Sequence, residues 1–61
     1  MTVGELRKAG ETLYGHEWQT ALAHRLHIEA RTVRRWVAGD SEIPGPAVVA
    51  IQLLLKYPQN A

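Results

Sequence analysis

Apolar side chains recur at helical spacing along nearly the whole chain, and no stretch shows the two-residue alternation of a half-buried strand. Thr2-Val3-Gly4-Glu5 has the form of a capping box, in which Thr2 accepts from the Glu5 amide and Glu5 reaches back to the Thr2 amide. Val3, Leu6, Gly10 and Leu13 then share one face, while Glu5, Lys8, Glu11 and Thr12 point away from it. With Gly15 as a stop, the pattern predicts a first helix over about residues 2–14. A second is predicted from about Glu17 to Leu26, with Trp18, Leu22, Ala23 and Leu26 on one side. Glu17 in its first turn and Arg25 in its last suit the helix dipole.

His27, Ile28 and Glu29 interrupt the period, which restarts with Ala30, Val33, Trp36 and Val37 on one face. This third helix should end near Ala38, with Gly39 as its stop. Arg31, Arg34 and Arg35 fall on the side opposite Val33 and form one outward patch. Asp40 to Pro46 reads as loop, and Pro44 or Pro46 suits the first turn of a fourth helix over residues 45–57, ended by Pro58. That helix is apolar on two sides. Val48, Ile51, Leu54 and Leu55 suit a core, whereas Val49, Leu53 and Tyr57 form a stripe on nearly the opposite side. The expected fold is all-α, a single domain of residues 1–61 built as a compact bundle of four or five short helices.

Size sharpens the meaning of the second stripe. A chain of 61 residues buries only about 60% of its unfolded surface, and such domains usually gain a disulfide, a metal or a partner subunit. There is no cysteine, which excludes disulfides and Cys-based zinc sites. A homodimer through Val49, Leu53 and Tyr57 is the expected remedy; the competing reading is that helix one or the tail covers the stripe. Net charge is only +1, yet His24 to Trp36 holds four arginines (Arg25, Arg31, Arg34 and Arg35) against one acid, Glu29. The longest apolar run, Ala47 to Leu55, is interrupted by Gln52 and is far short of the ~20 residues of a membrane span. The N-terminus lacks a basic-then-apolar leader pattern. His16, His24 and His27 come with no cysteine or paired carboxylate to complete a metal set. With no glycine-rich phosphate loop, no cysteine nucleophile and little room for a ligand pocket, the sequence points away from an enzyme, a cofactor, a metal or a small-molecule ligand.

The stretch from Gln19 to Gly39, QTALAHRLHIEARTVRRWVAG, resembles the helix-turn-helix of the phage repressor and Cro-like DNA-binding families, with the motif over residues 18–38. Gln19 stands at its first position, Ala23 where the two helices cross, and Leu22, Leu26, Ile28, Val33 and Trp36 at its apolar positions. The ending RTVRRWVAG is also similar to short prophage-type, anti-CRISPR-associated regulators. Two places differ: His27 stands where the family's turn usually carries glycine, and Glu29 where a small polar cap is common. Histidine is among the residues more tolerant of the left-handed conformation such a turn needs.

The resemblance implies a cytoplasmic, nucleoid-associated regulator of a bacterial or phage-infected cell. It would bind double-stranded DNA at an inverted repeat as a dimer and repress its own or a nearby promoter. An α-helix fits the major groove, and an arginine fork can take guanine O6 and N7 together. Arg31, Arg35 and Arg34 are the expected base contacts, with Ala30 offering a methyl to thymine. Gln19, Thr20 and Trp18 at the start of the preceding helix are the expected backbone contacts, Trp18 having packing beneath that helix as its alternative. The alternatives are a protein-binding module, antitoxin-like or a phage accessory factor on the same fold, and an architectural DNA binder with little sequence preference.

Overall fold

Thr2 sets where the chain first becomes helical. Its hydroxyl accepts from the Glu5 amide at 3.1 Å, and Glu5 Oε1 accepts from the Thr2 amide at 2.7 Å. The Thr2 amide foremost, and the Thr2 hydroxyl next, hold the Glu5 carboxyl below its ordinary pKa. In this computed structural model, which describes all 61 residues, the box opens α1 (Val3–Tyr14). α2 (Trp18–Arg25), α3 (Ala30–Ala38) and α4 (Gly45–Lys56) follow, with single 3-10 turns at Gly15–Glu17 and Pro58–Asn60 and no strand. The bundle measures 30 × 21 × 21 Å.

The second helix is shorter at both ends than its pattern predicts. Glu17 sits at φ −97°, ψ 41°, outside helical geometry, because the turn after Gly15 redirects the chain before α2 begins. At the far end the chain turns within four residues. His27 donates to the His24 carbonyl and Ile28 to the Ala23 carbonyl, at 3.2 and 3.0 Å. This pair of bonds closes a helix through a left-handed residue, and that residue is His27, at φ 59°. α3 ends the same way: Gly39 donates to Trp36 and Asp40 to Arg35, with Gly39 at φ 83°, ψ 8°. One closure uses glycine, as its geometry favours; the other places a side chain where few L-residues sit.

The core gathers one or two positions per helical turn. Leu6 and Ala9 come from α1, Trp18, Leu22 and Ala23 from α2, Val33 and Trp36 from α3, and Ile51 and Leu54 from α4. Leu26, Ile28, Val37, Ile43 and Ala47 pack around these. α2 lies against both α1 and α3, and its contact with α1 depends on Gly10. A Cβ at residue 10 would overlap Cε3 and Cδ2 of the Trp18 indole, so the hydrogen of glycine lets the ring lie on the α1 backbone.

Two expectations are corrected here. Trp18 is a core residue, 4% exposed, so its side chain is not an outward contact; its flat ring fills the space above Gly10. Leu55 is not part of the core face of α4 and remains 39% exposed. The inward line is Ala47, Ile51 and Leu54, and Leu55 lies one residue, about 100° of helical rotation, beyond it. No helix is long and apolar enough to cross a membrane.

Candidate nucleic-acid interface

α3 is held by its inner side and open on its outer one. Val33 is fully buried and Trp36 is 4% exposed, three residues apart and therefore on one face. Opposite them Arg31, Arg34 and Arg35 are all exposed, while Ala30 and Thr32 are half-buried on the flanks. Arg31 and Arg35 are separated by about 6 Å along the helix axis, the rise of four residues. That is close to two base-pair steps of duplex DNA at 3.4 Å each.

The three arginines differ in what holds them. Arg31 pairs with Glu29, Nε to Oε2 at 3.1 Å, with both side chains largely exposed. Arg34 and Arg35 make no ion pair or side-chain hydrogen bond, so both guanidinium forks are free for a ligand. Arg25, the fourth arginine of the basic segment, is not part of this face. It lies at the end of α2, and its Nε donates to the Asn60 carbonyl at 2.9 Å, tying the C-terminal turn to the bundle.

Gln19 and Thr20 stand apart from the arginines. Half-buried Gln19 and exposed Thr20 border a shallow hollow of about 310 Å3 completed by His16 and Glu17, with no contribution from α3. The Glu17 carboxylate in the same hollow opposes an anion there. No three metal-capable side chains converge anywhere in the fold.

Comparison with protein-family models, curated proteins and solved structures gives no match.

α4 carries the other conspicuous surface. Val49 is 56% exposed, Leu53 52% and Tyr57 43%, and Lys56 Nζ stands 5.5 Å from the centroid of the Tyr57 ring. Beside this ridge run two open apolar hollows of about 420 and 360 Å3, which share Leu26 and Ala50. The first is closed off by Leu54, Tyr57 and Asn60, the second by Trp36, Ala47, Pro44 before α4 and Pro46 in its first turn.

Sequence reasoning missed Tyr14. It packs against the core, its hydroxyl is buried without a partner, and burial pushes its pKa up, opposed by the Arg25 charge. Its position one residue before Gly15, at the end of the α1 pattern, gave no sign of which way the ring would turn.

Proposed function

We propose that α2 and α3 form a helix-turn-helix of the phage repressor and Cro-like kind, and that the chain is a sequence-specific, double-stranded DNA-binding transcriptional regulator. The observation that carries this reading is the division of α3: Val33 and Trp36 fix its inner side in the core while Arg31, Arg34 and Arg35 leave its outer side as one exposed cationic face. Arg31 and Arg35 would read base edges, Arg34 a base or a phosphate, Ala30 a thymine methyl, and Thr20 with Gln19 the backbone. The four-residue closure through His27 gives the tight corner such a motif uses.

The working unit in this reading is a homodimer built on α4. A two-fold interface is self-complementary, so it needs a ridge and a hollow on the same face. Val49, Leu53 and Tyr57 supply the ridge and the hollows beside them receive it. Two α3 helices would then meet successive major grooves about 34 Å apart, at an inverted repeat with half-sites roughly 10 base pairs between centres. The simplest regulatory outcome is repression by promoter occupancy in the cytoplasm of a bacterial or phage-infected cell.

Selection of bound duplexes from a random pool tests binding, symmetry and spacing together. In gel-shift titrations on a selected operator, Arg35→Ala should weaken binding and relax preference at one position by about 1–3 kcal/mol. Unchanged affinity and preference would refute the readout. The exposed apolar face of α4 favours one rival, a protein-binding module on the same fold. DNA binding falls with log salt at a slope near −0.9 per phosphate neutralised, and a ligand that shows no such slope would favour the rival.

A further inference from the structure

Glu29 is the one acid in the basic segment, and it stands at the mouth of α3 beside the arginine face. A carboxylate there opposes a polyanion, so what it touches matters. As the residue preceding the helix, Glu29 would ordinarily cap it, yet its side chain accepts nothing from the helix amides. It turns instead to Arg31 Nε at 3.1 Å. Residues two apart within a helix do not face each other. This pair forms because Glu29 lies at φ −75°, ψ 144°, extended, while Arg31 is already helical. A guanidinium has five N–H donors; with the carboxylate nearest its Nε edge, the two terminal nitrogens at the far end are left as the pair that can take guanine O6 and N7 together.

We infer that Glu29 is a positioning residue for base recognition: it holds the Arg31 fork end-on toward a guanine and withholds that arginine from the phosphates. The inference rests on the DNA-binding reading of α3. Glu29 in this role raises selectivity and lowers sequence-independent affinity, because its charge repels the duplex and its partner is committed to a base.

Duplexes selected by the wild-type chain supply the operator. Glu29→Gln, Glu29→Asp, Arg31→Ala and Glu29→Gln/Arg31→Ala are titrated against it, against operators altered at each guanine in turn, and against random duplex over a range of salt. Glu29→Gln should lose discrimination at one guanine by roughly three- to ten-fold, a part of what a full bidentate contact supplies. It should bind random duplex more tightly, with a salt slope steeper by about 0.9 as Arg31 turns to a phosphate. Glu29→Asp keeps the charge but is short enough to cap the helix, and should lose the same discrimination while melting no lower than wild type. In the Arg31→Ala background, Glu29→Gln should change discrimination no further. Discrimination unchanged in Glu29→Gln, or changed equally without Arg31, overturns the inference while the DNA-binding reading stands. A wild-type chain that selects no duplex overturns both.

Discussion

Gly10→Ala tests the closest approach in the fold. The added methyl would meet the indole of Trp18, with Cγ at 2.9 Å and Cε3 and Cδ2 nearer still, whereas carbon contacts relax at about 3.5–4.0 Å. The ring must therefore retreat on the order of 1 Å. It has little room to do so, being 4% exposed in a cluster with Leu6, Leu22 and Ala23. Overpacking of this kind costs roughly 1–3 kcal/mol. Alanine returns up to about 1 kcal/mol of helix propensity relative to glycine; with three indole atoms overlapped the cost belongs to the upper half of that range, so the net loss should be about 1–2 kcal/mol. For a domain of this size that lowers Tm by roughly 5–15 °C, read by circular dichroism melts at matched protein concentration. Gly4→Ala is the control within the same helix: its Cβ would meet only Thr2 Oγ1 at 3.9 Å, so Tm should hold or rise by a few degrees. Adding Trp18→Leu to Gly10→Ala should recover part of the loss, a coupling of about 1 kcal/mol. If Gly10→Ala melts at or above wild type, the indole does not lie on the α1 backbone.

Three further outcomes follow from single features. His27→Gly relieves about 1–2 kcal/mol of left-handed strain against roughly 0.5–1 kcal/mol of added chain entropy. Urea titration should show it neutral to stabilised, and His27→Val, β-branched at the same φ, should unfold earlier; equal midpoints for the two would remove the left-handed corner. The Glu5 carboxyl is held low by Thr2, so its contribution is complete above the ordinary carboxylate pKa and disappears as pH falls through the lowered one. Thr2→Pro, which deletes the backbone donor and the hydroxyl, should move the NMR titration of Glu5 upward by more than Thr2→Ala does. Leu53→Lys changes a half-exposed position and should leave the helical spectrum intact. It should abolish the concentration dependence of Tm expected of a dimer; sedimentation showing an unchanged oligomer would move the interface elsewhere.

Helix ends were the most legible part of the sequence, because their signals are local. The Thr2–Glu5 box and Gly39 act within a few residues of where they stand. The left-handed corner was legible only through the resemblance that put His27 in a glycine's place. The core side of α4 was harder to read. With apolar residues around most of its circumference, the lines Ala47–Ile51–Leu54 and Val48–Leu55 look alike until packing against α1 and the shared core chooses between them. Trp18 was ambiguous for a similar reason. Its partner is the missing side chain of Gly10 on another helix, and a glycine in mid-helix was the sole hint of a space for a ring. Within the candidate site, the three outward arginines were readable from the wheel. The diversion of Arg25 to Asn60 was not, since it depends on where the C-terminal turn comes to rest.

The two-residue anchorage of α3 separates what keeps this chain folded from what it presents. Val33 and Trp36 form a keel, and positions 31, 34, 35 and 38 above the waterline are exposed, where substitutions usually shift stability by no more than about 0.5 kcal/mol. Preference for a ligand can therefore drift, or be rewritten in a library at those four positions, with little risk to the fold beneath. The same freedom is absent from α2, where Trp18, Leu22 and Ala23 are already committed to the interior.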